Sequence, residues 1–141
     1  MVIPADFGAP EGARMDLSIR SLDDVVKVSQ QVQSFCLSRG IDGRRAYLAG
    51  LSMEEMAGNI VDHGFTKDRR RHSVDVRVVH KDGKVILRIK DDCVPFDPSE
   101  RLRMSGDSDA SKNMGIRMVF KIAEKVAYQN ILGLNVLTMT I

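Results

Sequence analysis

Aromatic residues are scarce in this chain: five phenylalanines, two tyrosines and no tryptophan among 141 residues. The basic run Lys67-Asp-Arg-Arg-Arg-His72 therefore has no interleaved aromatics on which bases could stack, and it reads as a solvated loop. A formal net charge of +2 is likewise too small to argue for a nucleic-acid partner. There are two cysteines, Cys36 and Cys93, far apart and in no metal-ligand spacing. That suits a reducing, cytoplasmic setting better than a disulfide framework, with both thiols read as packing. No apolar run approaches the roughly 20 residues needed to cross a bilayer, and no signal-peptide pattern opens the chain. Prolines number four, in two places: Pro4 and Pro10 near the start, Pro95 and Pro98 in the second half.

What remains is a chain with 43% apolar and 28% charged residues, the balance of a folded globular domain. Residues 1–12, carrying Pro4, Gly8, Pro10 and Gly12, read as a flexible lead-in, and residues 13–141 as a single domain. A short strand is expected over Arg14–Ile19. Ser21 before Leu22-Asp-Asp24 reads as an N-cap, followed by Val25, Val26, Val28, Val32, Phe35 and Cys36 at helical spacing, with Gly40 as the stop. A second helix runs from about Gly43 to His63, closed by Gly64.

Beyond the basic loop, Val74–His80 and Lys84–Lys90 alternate apolar and polar around Asp82-Gly83, a two-residue hairpin signal. That turn sets Val78 opposite Leu87 and Val76 opposite Ile89 on the apolar face. The wet face receives Asp75, Arg77, Arg88 and Lys90. Counting inward positions through Val85, Leu87 and Ile89 carries Asp91 to the core side, where a carboxylate needs a donor. A backbone amide in the following turn and a bound polar ligand both satisfy that need. The segment 99–112 is polar and rich in small residues, and reads as a mobile functional loop or lid, or else as plain disorder. It feeds a helix starting near Asn113-Met-Gly-Ile116, on which Met118, Val119, Ile122 and Val126 share a face. The first amides of such a helix can hold an anion. Strands 126–131 and 135–141 close the chain around Leu132-Gly133-Leu134.

Within the second helix, Glu55, Asn59 and His63 fall at i, i+4 and i+8, so a carboxylate, an amide and an imidazole share one stripe. A solvated side of an amphipathic helix explains them, as does a pocket for a polar ligand with a metal ion. Because strand and helix runs segregate, the expected architecture is α+β: a two-layer sandwich with helices on one face of a mixed, mostly antiparallel sheet.

Glu55-x-x-x-Asn59-x-x-x-His63-Gly64, then Asp91-Asp-Cys-Val-Pro-Phe-Asp-Pro98, then Asn113-Met-Gly-Ile116, taken in order, resemble the nucleotide pocket of the histidine-kinase-like ATPase superfamily. Within it the chain looks most like the anti-sigma factor serine kinases of bacteria, and Gly133-Leu-Asn-Val-Leu-Thr138 matches that family's final hairpin. The resemblance implies a Bergerat-type ATP-binding fold with ATP and Mg²⁺ as ligands. By it Glu55 is the catalytic base, Asn59 the Mg²⁺ ligand, and Asp91 the acceptor for the adenine amino group. The amides of Met114, Gly115 and Ile116 meet the phosphates. His63, Cys93, Pro95 and Asn113 belong to the same pocket, although for His63 a helix C-terminal capping role is preferred. Arg101, Arg103 and Lys112 become lid cations. The family's glycines are replaced here by Cys93, Pro95 and Asn113, of which asparagine best tolerates a left-handed backbone.

The implied activity is a protein serine kinase passing the ATP γ-phosphate to a small anti-anti-sigma-like partner while binding a sigma factor, and the same resemblance implies a homodimer. The alternative is an ATP-switched binding module of a larger signalling protein with little or no catalysis. A histidine-kinase catalytic domain is the less favoured reading, since His63, His72 and His80 all lie inside the domain.

Overall fold

The computed structural model describes residues 13–67, 70–105 and 113–141, with the side chains of 104 and 105 left aside. The lead-in and Lys112 therefore lie outside the described residues. In chain order the elements are β1 (Arg14–Ile19), α1 (Leu22–Ser38), α2 (Gly43–Gly64), β2 (Val74–Lys81), β3 (Lys84–Asp91), α3 (Pro98–Ser105), α4 (Met114–Ile122), β4 (Lys125–Ile131) and β5 (Leu134–Thr140). The strands form one sheet in the order β1-β2-β3-β5-β4. The expected mixed sheet is, among the described residues, antiparallel at every pairing. None of the helices is long and apolar enough to cross a membrane among the described residues.

Local chemistry accounts for the boundaries. Ser21 occupies the N-cap position of α1 but makes no side-chain bond. The Asp24 carboxylate instead accepts the Arg20 amide at 2.9 Å, while the Asp24 amide donates to the Ser21 carbonyl at 3.1 Å. At the other end Gly40 adopts φ +82°, its amide reaching Leu37 O while that of Ile41 reaches Cys36 O. This is a Schellman stop with Ile41 tucked into the core. Asp42 caps α2 by accepting the Arg45 amide at 3.1 Å. Asp82 and Gly83 both take positive φ, as the primed two-residue hairpin requires.

Two expectations about element boundaries change. Segment 98–105 is helical, not loop, because Asp97 acts as an N-cap: its Oδ1 accepts both the amide and the hydroxyl of Ser99, and Pro98 fills the first helical position. Val126 belongs to β4 and not to the α4 face. The helix ends at Ile122, and Val126 pairs with Met139 of β5, since the sheet offers a ladder that one more helical turn would forfeit.

The helices cover one face of the sheet. Val25, Val28, Val32 and Cys36 of α1, with Met53, Met56, Ala57 and Ile60 of α2, meet Val76, Val78, Val85, Leu87 and Ile89 in one core. Val26, expected with this set, is exposed on the outside of α1. The opposite face is wet and carries Arg77 bonded to Asp16 at 2.7 Å. Helices α1 and α2 approach closely at Gly50, whose carbonyl accepts the Ser29 hydroxyl at 2.7 Å. A Cβ there would stand 2.8 Å from the Ser29 carbonyl oxygen, a backbone atom with little freedom to yield.

Gly50→Ala is thus expected to lower stability by about 1–3 kcal/mol through overpacking, read as a fall in the urea midpoint at unchanged slope. A midpoint equal to the parent's would show slack between α1 and α2. Burial also pushes the Cys36 thiol up from 9.0 to about 11, with Arg45 opposing. Between those values the unfolded chain loses a proton that the folded chain keeps. The stabilisation is complete below pH 9 and disappears as pH rises through about 11. Cys36→Ala should flatten the alkaline stability slope in denaturant titrations across that window.

Candidate functional site

The site begins with the register of the central strands. Asp91, last residue of β3, stands opposite Val74 of β2 on one side and Asn135 of β5 on the other. Its side chain faces the core and is only 5% exposed. Two donors converge on Oδ1: the Cys93 amide at 2.9 Å and Asn135 Nδ2 at 2.9 Å. The turn amide suggested by the sequence pattern is therefore present, and Asp91 also lines a cavity.

Asn135 was not among the predicted site residues, yet it organises this end of the sheet. Besides Asp91, its Nδ2 donates to the Cys93 carbonyl at 2.9 Å, and its Oδ1 accepts from Tyr128 Oη at 2.6 Å and Asn130 Nδ2 at 2.9 Å. Its signal was an amide at an inward position of β5, in phase with Leu137 and Met139. The Phe96 amide in turn donates to Tyr128 Oη at 3.2 Å. Burial raises the Tyr128 phenol above its usual 10.0, with Asp91, Asp97 and Glu100 adding to the rise and the Phe96 amide opposing it.

A cavity of about 200 Å³ opens beside this network. Asn59, His63 and Gly64 of α2 form one wall, and Cys93, Pro95 and Phe96 another. His63 stacks flat on Phe96, with centroids 5.7 Å apart and planes at 8°, so it contributes a wall in addition to its place in the last turn of α2. Arg101 of α3 lies over the Phe96 ring, 5.5 Å from its centroid, and also borders the cavity. Arg103 is exposed on α3 and does not line it. Gly64 was read as a helix terminator, but it is the last residue of α2 and has no positive φ. Its small size is what the fold uses: a Cβ there would stand 2.8 Å from Cys93 Cβ and 2.9 Å from Sγ.

Asn59 donates through Nδ2 to the Glu55 carbonyl at 2.7 Å. Its amide nitrogen is committed to its own helix, and Oδ1 is the atom left to act as acceptor or ligand. One turn earlier, Glu55 packs its carboxylate against Gly115, where an added Cβ would collide with it. Gly115 lies in the first turn of α4. Asn113 precedes that turn in the left-handed conformation (φ 56°, ψ 33°) without a side-chain cap. The first helical bond runs from the Arg117 amide to the Asn113 carbonyl at 2.9 Å, leaving the amides of Met114, Gly115 and Ile116 outside the ladder. The side chains of Met114 and Ile116 do not line the cavity: the first is exposed, the second buried in the core.

The arrangement therefore has a base-sized cavity with a buried carboxylate, an amide oxygen suited to a hard cation, and a helix N-terminus with a carboxylate beside it. This donor set fits a purine nucleotide with Mg²⁺.

Over residues 20–141 the chain matches the family described as the histidine kinase-like ATPase domain. Among solved structures it is similar to the histidine kinase domain from Erythrobacter litoralis EL346 blue-light activated histidine kinase, with 17% identity and a TM-score of 0.55. That alignment covers 96% of this chain and 71% of the other, a likeness of fold. No curated protein matches.

Asn135→Ala removes one donor from Asp91 and one from the Cys93 carbonyl. It should cost about 1–3 kcal/mol and weaken any ligand that reads Asp91. Thermal melts and nucleotide-analogue titrations check the two effects separately. Parental values in both would remove Asn135 from the site.

Proposed function

The chain belongs to the histidine kinase-like ATPase family and is an ATP-binding domain. From that premise we propose that it is a protein serine kinase of the anti-sigma factor type, transferring the ATP γ-phosphate to a hydroxyl on a small partner protein. The observation that carries this reading is the Glu55 carboxylate lying against Gly115, in the first turn of α4. A base at that point stands next to the amides that would receive the phosphates, as a proton acceptor for in-line transfer requires.

In this reading Asp91 accepts the exocyclic amino group of adenine, held in place by Asn135 and the Cys93 amide. His63 and Phe96 supply an aromatic wall, and Arg101 brings positive charge to the same wall. Asn59 would hold Mg²⁺ through Oδ1, and the ion would supply charge neutralisation for the phosphates. Glu55 takes the proton of the partner's serine hydroxyl while that oxygen bonds to the γ-phosphorus. The bond from phosphorus to the β–γ bridging oxygen breaks, and ADP leaves with that oxygen. The Met114, Gly115 and Ile116 amides stabilise the phosphate oxygens with no reorganisation of their own.

The ATP-switched binding module remains the second reading, favoured by the same Glu55 contact: a carboxylate already against the helix N-terminus can act as a placeholder that phosphate displaces. A non-hydrolysable ATP analogue is expected to bind in a Mg²⁺-dependent way by calorimetry, and Asn59→Ala to lower that affinity tenfold or more. Glu55→Ala should keep analogue binding and lose phosphate transfer by at least 100-fold, the range expected for a lost general base. Analogue binding that is indifferent to Asn59 would refute the assigned pocket. Nucleotide-dependent partner binding that persists without phosphate transfer in the parent would select the switched module.

A further inference from the structure

Behind the wall that Cys93 shares with the cavity, three potential ligands of different chemistry come together. They are the imidazole of His72, the carboxylate of Asp92 and the thiol of Cys93, with one ligand atom from each within 4.8 Å of the others. We propose that this triad is a binding site for a zinc-class transition-metal ion, distinct from the Asn59 position.

Sheet register builds the triad. Val74 pairs with Asp91, so the residues just before β2 and just after β3 leave the same end of two neighbouring strands. His72 enters from the first side, and Asp92 and Cys93 from the second. Sequence spacing could not show this, because 20 residues separate His72 from Asp92. His72 Nδ1 lies 2.8 Å from Asp92 Oδ1, with the histidine side chain 1% exposed and the aspartate 47% exposed. Two ligands are thus fixed in the interior and the third opens to solvent, giving an ion a path in. Phe65 packs on the His72 ring at 5.9 Å and limits its rotation.

The donor set selects the metal. A thiolate beside an imidazole disfavours Mg²⁺ and Ca²⁺ and suits Zn²⁺, which takes N, S and O ligands tetrahedrally. Bond lengths of about 2.0–2.3 Å place tetrahedral ligand atoms roughly 3.3–3.7 Å apart. The His72–Asp92 contact must open by about half an ångström and the widest separation close by about one, within reach of a half-exposed aspartate. Three protein ligands leave the fourth position to water. On binding, the Cys93 thiol releases its proton to solvent as the sulfur–metal bond forms.

The test uses the full chain, reduced and free of nucleotide, so that it does not depend on the ATP site. Titration with Co²⁺, a spectroscopic substitute for Zn²⁺, should give one equivalent per chain with a thiolate-to-metal charge-transfer band. Cys93→Ser should abolish the band and Cys36→Ser should keep it. His72→Gln and Asp92→Asn should each weaken binding tenfold or more, in competition with Zn²⁺. Asp92 is the variant least exposed to misfolding, because its side chain is half in solvent. Absence of the band in the parent, its survival in Cys93→Ser, or unchanged affinity in folded Asp92→Asn would each overturn the proposal.

Discussion

Placing a carboxylate at an inward position of a sheet carries a desolvation penalty that falls only when donors surround it. Asp91 sits at such a position, and much of the pocket follows from how it is satisfied. Its donors are the turn immediately after it and Asn135 across the β3–β5 pairing. Asn135 is anchored in turn by Tyr128 and Asn130, and Tyr128 receives the Phe96 amide. Phe96 then carries the His63 ring in a stack and the Arg101 guanidinium over its ring. The wall of the cavity is thus a chain of contacts that starts from one buried charge.

Space, and not backbone freedom, explains the glycines that matter most to the site. Gly40, Gly83 and Gly133 have positive φ and serve turns, with open space around each Cβ position. Gly50, Gly64 and Gly115 have ordinary φ and serve contacts: α1 on α2, α2 on the Cys93 turn, and Glu55 on α4. Cys93 and Gly64 thereby form a matched pair, the larger side chain on one element being accommodated by the missing one on the other.

The sequence was informative wherever a local rule sufficed. The Asp82-Gly83 turn fixed a register that led to Asp91, and helical periodicity set Glu55, Asn59 and His63 on one stripe. It was less informative where a short element competes with its surroundings. Helix α3 had its signals in Asp97 and Pro98, but a polar, small-residue composition hid them. Val126 obeyed the sheet ladder over helical spacing. Asn135 and the His72–Asp92–Cys93 group were out of reach for another reason. Each depends on which strands become neighbours, and contacts 44 or 20 residues apart leave no periodic trace.

The sheet also has a division of labour in time. β2 with β3 and β4 with β5 are hairpins that close two-residue turns, so each can form from local contacts. Joining β3 to β5 needs a loop of more than forty residues to close first, and that slower seam is where Asp91 meets Asn135. Amide protons along the β3–β5 ladder therefore report the docking of the two halves, whereas those inside either hairpin report local opening. A ligand gripping Asp91 acts as a clasp across that seam. Its effect on hydrogen exchange will be concentrated on β3 and β5, far from the edge strand β1.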